Sequence, residues 1–259
     1  MSDKVRLEQD GQIATILLDA PERNNALTRE DYATVADVVA EANAREAVEC
    51  LVIEGAGDAF TSGGGLDWLK EHATHNMSIE REREEIKNNE HEAIQRLYEF
   101  PKPTIAKTDG LVIGDGVALA LACDLILASE CATFRITHAE FGLCTDVGLS
   151  FLLPESVGKR TAKELVLTGN TIGAEKAQDI GLVNRVYGDD DFEAEATDLI
   201  ETIAGRPAKS LEYLMHVLDR GTDRSLEDAL DEEAALQGMR LQSDDYSAAV
   251  DAFLESLEK

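Results

Sequence analysis

The chain has 259 residues, of which 52 are Asp or Glu and 24 are Lys or Arg, so its formal net charge is −28. Such an acidic chain is not expected to bind nucleic acid, because contacts with phosphates need the opposite charge. The N-terminal residues lack the apolar segment of a signal peptide. The longest apolar stretch, 111–128, contains Asp115 and Asp124, so we expect a cytoplasmic protein that does not enter a membrane.

The first predicted elements are a hairpin and a helix. Segments 4–8 and 13–18 flank a turn at Asp10 and Gly11, as in a β-hairpin. Thr28, three residues before Asp31, is typical of a helix start, and the helical pattern continues to about Glu46. A buried strand is predicted next, at 50–53.

The remaining elements alternate and then become helical. A charged helix begins at Ser78 and ends near Phe100, because Pro101 and Pro103 follow. The alternating strands and helices that we predict after it are 104–108, 117–123, 133–136, 148–155, 158–167, 174–180 and 183–186. Only helical periodicity remains in 192–204, 208–219, 225–241 and 245–257. This pattern predicts an α/β core at 1–190 and a C-terminal helical region at 191–259.

Cysteine and histidine spacing gives no metal-site pattern. The four cysteines show no Cys-x-x-Cys spacing: Cys50, Cys123, Cys131 and Cys144. We expect them to be reduced, buried thiols rather than disulfides or zinc ligands. His72 and His75 are one helical turn apart without further ligands nearby in the sequence, so no metal site is predicted.

Two glycine-rich segments, 60–67 and 110–116, each follow an apolar run and lead into helical sequence. Glycine lets a ligand approach backbone amides closely, and the amides at a helix start lack internal partners. Two such donors aimed at one oxygen would form an oxyanion hole for an acyl carbonyl. Taken alone, each segment would be interpreted as a tight turn between a strand and a helix.

Short motifs accompany these loops in a fixed order. They are Asn25-Ala26-Leu27, Phe60 to Leu66, Lys102-Pro103-Thr104-Ile105-Ala106, Ala122-Cys123-Asp124-Leu125, Leu167-Thr168-Gly169 and Gly181-Leu182-Val183-Asn184. In these motifs the chain resembles the crotonase family, the enoyl-CoA hydratase/isomerase superfamily, from about Val5 to the C-terminus. The resemblance implies a spiral of ββα repeats whose C-terminal helices assemble homotrimers, often paired as hexamers. It also implies an acyl-CoA ligand and no cofactor beyond the coenzyme A of the substrate.

The same resemblance implies which residues bind the ligand. The amides of Gly64 and Asp115 would bind the thioester oxygen. The family usually has glycine at the second position, so the Asp115 carboxylate could crowd an enolate. The candidates for contacts with coenzyme A are Arg23, Asn25, Ala26, Ser62, Leu66 and Lys70.

The chain departs from enoyl-CoA hydratases at the residues that activate water. Those enzymes use two glutamates as acid and base, and the matching positions here hold Ala118 and His138. Asp146 matches an aspartate of the dienoyl-CoA isomerases and the nucleophile of 4-chlorobenzoyl-CoA dehalogenase, whose base histidine matches His91. Uncharged sequence surrounds Asp146, so we expect burial to suit it for proton transfer; the alternative is that it caps the next helix. The alternative for His91 is a solvated surface histidine.

The leading hypothesis is therefore an acyl-CoA enzyme of the hydratase/isomerase type, in which His138 and Asp146 add water or shift a double bond. An alternative is an acyl-CoA hydrolase or a dehalogenase-like enzyme that uses Asp146 with His91. A second is a protein that binds acyl-CoA without turnover. A third is a nicotinamide enzyme, because Gly114-x-Gly116 follows a strand, although the third glycine of that motif is absent.

The acidic residues are spread along the whole chain. This pattern is similar to that of proteins from salt-accumulating halophiles. Repulsion between like charges destabilises a compact state unless salt screens it, so we expect the stability of this protein to depend on salt.

Overall fold

Two β-sheets flanked by helices form most of the chain. The computed structural model describes residues 2–65, 70, 77–221 and 224–257. The chain divides into two units, Met1–Ala204 and Gly205–Lys259. Within the described residues, no helix has both the length and the apolar character needed to cross a membrane.

Ten strands are described in the first unit. In chain order they are β1 (Val5–Asp10), β2 (Ile13–Leu18), β3 (Cys50–Gly55), β4 (Ala59–Thr61), β5 (Thr104–Thr108), β6 (Leu111–Ile113), β7 (Leu125–Ser129), β8 (Thr133–Arg135), β9 (Ile172–Gly173) and β10 (Arg185–Tyr187). The larger sheet has the order β1-β2-β3-β5-β7-β10 and the smaller one β4-β6-β8-β9.

Both sheets are mixed. The predicted hairpin is confirmed: β1 and β2 pair antiparallel, with Val5 opposite Leu18. The other neighbours in the larger sheet are parallel. In the smaller sheet β4, β6 and β8 are parallel and β9 is antiparallel. Strand β4 overlaps the start of the first glycine-rich segment and β6 lies inside the second. Neither strand is predicted, because three-residue strands leave no periodic signal.

Eleven helices are described. They are α1 (Arg29–Ala44), α2 (Ile79–Ile86), α3 (Glu92–Tyr98), α4 (Asp115–Leu121), α5 (Leu149–Val157), α6 (Lys159–Thr168), α7 (Ala174–Asp179), α8 (Phe192–Ala204), α9 (Ala208–Asp219), α10 (Leu226–Arg240) and α11 (Asp244–Leu257). A π-helical turn, Lys87–His91, joins α2 to α3, and a 3-10 turn covers His138–Phe141. The predicted helix start at Ser78 is confirmed, since its side chain caps α2.

Helix α1 begins where the sequence predicts. The Thr28 side chain accepts a hydrogen bond from the Asp31 amide, and the Asp31 carboxylate accepts one from the Thr28 amide, which is a capping box. Val35, Val39 and Ala42 recur on one face of the helix and are buried in the core. This face holds α1 against the rest of the first unit.

Helix α8 packs on one face of the larger sheet. Its residues Phe192, Ala196 and Ile200 form a buried cluster with Val52 and Leu127 of the sheet. The helix is thus part of the first unit. The division between the units falls after residue 204, whereas the sequence analysis draws it at residue 190.

The cysteine prediction is partly wrong. All four cysteines are free, and Cys50 and Cys123 are buried as expected. Cys131 and Cys144 are exposed. They lie in loops rather than on the faces of strands or helices that point into the core.

Several polar residues of the sequence motifs hold segments of the fold together. The Asn25 carboxamide accepts from the Ala20 amide and donates to the carbonyls of Ala56 and Ala59. The Asp124 carboxylate accepts from both the amide and the hydroxyl of Thr104. These residues thus connect loops and strands that are distant in sequence.

The second unit contains α9, α10 and α11, close to the bounds predicted from helical periodicity. Several of its large apolar side chains are exposed: Leu214, Leu218, Leu226, Leu230, Phe253, Leu254 and Leu257.

Candidate active site

A cavity of about 540 Å³ lies in the first unit. Both glycine-rich segments contribute to its wall, through Ser62 and Gly64 and through Gly114 and Asp115. Leu27, Met77, helices α1 and α2, the π-helical turn and the segment 137–146 supply the rest of the described lining. The cavity therefore combines backbone amides with ionisable side chains from several elements.

The two glycine-rich segments touch through their main chains. A Cβ atom on Gly63 would lie 2.7 Å from the Ile113 carbonyl oxygen and 2.8 Å from the Asp115 amide nitrogen. A Cβ atom on Gly116 would lie 2.8 Å from the Thr61 carbonyl oxygen. Gly63 also has φ +70, a conformation that favours glycine. Only glycine at these two positions permits this approach.

This contact brings the predicted donors into one cavity. Gly64 and Asp115 both line it, and Asp115 is the first residue of α4, so its amide has no partner within the helix. Within the described part of the chain, no turn or loop carbonyl accepts a hydrogen bond from either amide. Both N–H groups are therefore available to a ligand oxygen.

His138 is buried beside the start of α4. Its ring is 7% exposed, and Nε2 lies 3.1 Å from Oδ1 of Asp115. The Asp115 carboxylate thus pairs with an imidazole, and Asp115 also lines the cavity. Nδ1 of His138 is buried and has no hydrogen-bond partner among the described residues.

Asp146 forms a second pair with His91. His91 Nε2 lies 2.6 Å from Asp146 Oδ1, which also accepts a hydrogen bond of 2.8 Å from the Val147 amide. Val147 has φ +47, which is strained for a β-branched residue, and it is buried. Backbone strain of this kind is often found at functional sites.

Two expectations about Asp146 are wrong. Its side chain is 41% exposed rather than buried, because its uncharged neighbours Leu143 and Cys144 are themselves exposed beside the open cavity. The capping alternative also fails, since Gly148 occupies the N-cap position of α5 and no side chain caps that helix. The side chain of His91 is 43% exposed, as the surface interpretation expects, and it is also hydrogen-bonded to Asp146.

An arginine held between two glutamates lines the same cavity. Arg29 Nε donates to Glu90 Oε1 at 3.1 Å, and its Nη2 pairs with Glu82. Burial raises the pKa of Glu90, and the charge of Asp146 adds to this, against the opposing effects of its own amide and of Arg29. The sequence analysis did not identify this group, because a glutamate within a charged helix has no signal that distinguishes it.

Tyr32 completes the polar lining. It lies on the core face of α1, and its hydroxyl is buried without a hydrogen-bond partner in the described structure. Burial raises the pKa of Tyr32, and the charges of Asp115, Glu90 and Asp146 raise it further. The hydroxyl therefore stays protonated. The helical periodicity of 28–46 could have indicated only that Tyr32 faces the core.

Comparison with known proteins identifies the family. Residues 8–259 match the sequence profile described as Enoyl-CoA hydratase/isomerase. The chain belongs to the enoyl-CoA hydratase/isomerase family.

Two relatives and one solved structure illustrate the likeness. The chain is 30% identical over 247 residues to the 1,2-epoxyphenylacetyl-CoA isomerase of Escherichia coli K12, covering 93% of this chain and 92% of that protein. It is 27% identical over 229 residues to 4-chlorobenzoyl coenzyme A dehalogenase-2 of Arthrobacter sp, covering 88% and 82%. The crystal structure of an enoyl-CoA hydratase from Polaromonas sp. JS666 has a TM-score of 0.89 at 29% identity and covers 97% of each chain. The predicted α/β fold with C-terminal helices is thus confirmed.

The family resemblance implies that residues around the first glycine-rich segment contact coenzyme A. Asn25 is buried with both of its donors used within the protein. The Ala26 carbonyl accepts from Arg23 Nη2, which also lies 3.5 Å from Asp31 Oδ2. Ser62 lines the cavity. Asn25 and Arg23 therefore support the turn at 23–27, and the main chain of Asn25 is bonded within the protein as well, its amide to the Ala20 carbonyl and its carbonyl to the Thr61 hydroxyl.

The other predicted residues are partly outside the described structure. Leu66, His72 and His75 lie outside the described residues, and Lys70 is exposed. Among the residues that the structure describes, no group of three or more His, Cys, Asp or Glu side chains could hold a metal ion. Ala118, at the position of a hydratase glutamate, is fully buried.

Proposed function

We propose that this member of the enoyl-CoA hydratase/isomerase family acts on an acyl-CoA thioester and shifts a double bond along the acyl chain. The observation that carries the proposal is one cavity that contains both free amides, of Gly64 and Asp115, together with His138 and Asp146. The amides would bind the thioester oxygen. The two side chains would remove and return protons on the acyl carbons.

The chemistry of a thioester supports this combination. Removing a proton from the carbon next to the carbonyl places negative charge on the thioester oxygen, and two amide donors stabilise that charge. His138 is paired with Asp115 beside one of these donors, so it would act near the carbonyl. Asp146 lines this cavity and two others, so we expect it to act further along the acyl chain.

The departure from the hydratase pattern favours isomerisation over hydration. Ala118 and His138 stand at the positions of the two hydratase glutamates, so hydration would need a substituted pair of acid and base. A relative at 30% identity is an isomerase of a coenzyme A ester. Addition of water to an enoyl-CoA remains the other reaction of the hydratase/isomerase type that the proposal includes.

A second candidate function is hydrolysis or dehalogenation of an acyl-CoA. The hydrogen bond between His91 Nε2 and Asp146 Oδ1 favours it. In hydrolysis the Asp146 carboxylate would attack the thioester carbonyl and displace the coenzyme A thiolate, and in dehalogenation it would attack the ring and displace halide. Water activated by His91 would then cleave the covalent intermediate and restore the carboxylate. A relative at 27% identity is named a dehalogenase of a coenzyme A ester.

Oligomerisation is part of the same proposal. We propose a homotrimer or a hexamer of two trimers, supported by the family resemblance and by the exposed apolar side chains of the second unit, such as Leu218 and Phe253. Light scattering coupled to gel filtration, at low and high KCl, measures the assembly directly. A monomer under all conditions contradicts the proposal.

The test of function is a panel of acyl-CoA esters in molar KCl. The panel includes 2-enoyl, 3-enoyl and dienoyl thioesters and a halogenated benzoyl thioester, and the products are followed by mass spectrometry. A double-bond shift gives an isomer of the substrate, and in D₂O this isomer carries deuterium at the carbon that receives the proton. Hydration adds one water. Hydrolysis releases an acid and free coenzyme A, whereas dehalogenation replaces the halogen by a hydroxyl group, keeps the thioester and releases halide. In H₂¹⁸O the acid or the hydroxyl group takes up the label over many turnovers. Binding of NAD(H) without binding of coenzyme A esters would instead support the nicotinamide alternative.

A further inference from the structure

The described wall of the candidate active-site cavity carries more carboxyl groups than cations. In this part of the lining Arg29 is the one lysine or arginine side chain, and Ile86 and Phe141 are among the apolar ones. Four carboxyl side chains line the same wall, those of Glu82, Glu90, Asp115 and Asp146. Such a wall suits a hydrocarbon chain, but it places negative charge beside that chain.

The charge of Arg29 is already shared between two carboxylates. Its Nε donates to Glu90 Oε1 at 3.1 Å, and its Nη2 pairs with Glu82. The side chain of Arg29 is 19% exposed and that of Glu82 is 27% exposed, and both line the cavity. This ion pair is therefore part of the accessible wall. A guanidinium that pairs with two carboxylates offers little net attraction to a third.

The other carboxyl groups of the wall have no permanent cation as a partner within the described structure. Asp115 and Asp146 each contact a histidine ring, which is charged only when it is protonated. Glu90 Oε2 is buried and has no hydrogen-bond partner among the described residues. Burial raises the pKa of Glu90, and the charge of Asp146 raises it further, while Arg29 opposes both effects. The negative charges of the wall thus act on one another.

We propose that this cavity excludes acyl groups that carry a carboxylate, and that Glu82 determines this specificity by occupying Arg29. The inference rests on the proposed function and deepens it, because it names the substrate class as acyl-CoA esters without a second acid group. A carboxylate on the acyl chain would lose hydration in the cavity and would meet like charges. To pair with Arg29 it would have to displace Glu82, which gains no additional charge pairing.

Two exposed cations of α2 set the length of the acyl group that tests this inference. Arg83 and Lys87 line a second cavity together with Glu82 and Asp146, and neither belongs to the described lining of the first. A long acyl group that reaches the second cavity could place its carboxylate beside these cations. The test therefore uses short acyl groups, which remain in the first cavity.

The test compares two ligands of nearly equal size that differ in charge. Both are analogues of coenzyme A esters in which CH₂ replaces the thioester sulfur, so they are not hydrolysed; one carries a 4-carboxybutanoyl group and the other a 4-carbamoylbutanoyl group. Calorimetry at about pH 8, above the ordinary pKa of histidine, gives the two dissociation constants. Molar KCl screens solvent-exposed charges beyond about 3 Å, so the remaining difference arises within the cavity. We expect the wild type to bind the carboxamide about tenfold more tightly than the carboxylate.

Glu82→Gln is the decisive variant. It keeps the size of the side chain and an oxygen that can accept from Arg29, but it removes one negative charge, so Arg29 can balance a carboxylate of the ligand. We expect the ratio of the two dissociation constants to fall by about tenfold. Adding Arg29→Gln to this variant should restore the preference for the carboxamide, because the cation that receives the carboxylate is then absent. Thermal midpoints show whether both variants are folded.

Glu84→Gln is the matched control, since Glu84 is exposed on the same helix and is not in the described lining. It also removes one charge, and it should leave the ratio unchanged. An equal fall in both variants would reflect net charge and overturn the role of Glu82. A wild type that binds both analogues equally overturns the inference alone. A wild type that binds neither analogue contradicts the inference too, and the panel of thioesters then decides separately whether the proposed function holds.

Discussion

His91 Nε2 lies 2.6 Å from Asp146 Oδ1, although 55 residues separate them in the sequence. The histidine belongs to the π-helical turn between α2 and α3, and the aspartate belongs to the strained segment before α5. The pair is about two-fifths exposed and lies where the main cavity meets two others. An acid and a base in contact, both open to a ligand, are suited to proton transfer or to activation of water.

Asp146→Asn should abolish turnover of whichever thioester the panel identifies, with a loss of at least about a hundredfold in kcat. Asparagine has nearly the same size, so the thermal midpoint and the affinity for coenzyme A esters should stay almost unchanged. Steady-state kinetics and calorimetry measure both. A fully active Asp146→Asn with an inactive His138→Ala would assign the chemistry to His138 and exclude both the isomerase-like and the dehalogenase-like use of Asp146.

Gly63→Ala should disturb the proposed oxyanion hole. Its Cβ would lie 2.8 Å from the Asp115 amide nitrogen, so this donor must move, and we expect kcat to fall by about 10²-fold to 10³-fold. Gly11→Ala is the matched control, since Gly11 also has positive φ (+56) but no atom within 4 Å of the added Cβ. Both variants have a strained backbone, and only Gly63→Ala has a clash. Equal kcat in the two variants would argue against the assignment of Asp115 as a donor.

Asp31→Asn should weaken the fold. Burial raises the pKa of this carboxyl, but hydrogen bonds from Ser2 and Thr28 and the charge of Arg23 outweigh it and hold the pKa below its ordinary value. A carboxyl group whose pKa is lowered in the folded state stabilises the fold at pH values above its ordinary pKa. This contribution is lost only as the pH falls through the pKa of the folded state. The variant should lose about 1 kcal/mol, which is about 2–4 °C in a chain of this size.

The loss of stability in Asp31→Asn should be equal at about pH 5 and about pH 8, since both pH values lie above the ordinary pKa of aspartate. Differential scanning calorimetry at these two pH values measures it. Asp37→Asn, on the exposed face of the same helix, should change the midpoint little. A similar loss in both variants would show that the effect comes from helix charge rather than from the capping box.

Glu90→Gln should change the stability of the fold in the direction opposite to Asp31→Asn. Because the pKa of Glu90 is raised in the folded state, the folded protein binds more protons than the unfolded chain, and stability falls as the pH rises through the folded value. The glutamine can still accept from Arg29 but does not titrate. The variant should therefore be more stable than the wild type at about pH 8, and the difference should narrow towards about pH 5.

Glu84→Gln removes a charge from an exposed position of α2 and is the control for Glu90→Gln. Thermal midpoints of the two variants and the wild type across this pH range give the comparison. A pH-independent difference for Glu90→Gln would contradict the role of burial.

The net charge of −28 predicts that the thermal midpoint rises by several degrees between low and molar KCl, because the ions screen repulsion between carboxylates. A neutral osmolyte at the same osmolality is the control and should not reproduce the effect. A midpoint that is flat across the salt series would show that the acidic surface serves another purpose.

Local signals predicted the elements of the fold, and tertiary contacts decided most of the site. Helical periodicity and the Thr28–Asp31 cap predicted α1, and glycine content drew attention to the two segments that meet at Gly63. The pairing of His138 with Asp115 depends on where α4 begins relative to a turn 23 residues later, and no local pattern encodes that distance. The same holds for Glu90, whose burial depends on packing against α1.

The exposure of Asp146 shows the limit of composition as a guide. Its neighbours in the sequence are uncharged, which favours burial, but these neighbours form the wall of an open cavity. A cavity wall and a core have similar composition, because both are lined largely by apolar side chains. Only the three-dimensional structure distinguishes them.

The contact between the glycine-rich segments also bears on how such a protein can change during evolution. The positions of the Gly64 and Asp115 amides depend on main-chain atoms that meet at Gly63 and Gly116, whereas the acid and base groups are side chains carried by other segments. A duplicated gene can therefore exchange those side chains one at a time without losing the proposed site for the thioester oxygen. Selection on the reaction and selection on the ligand act on separate parts of the chain.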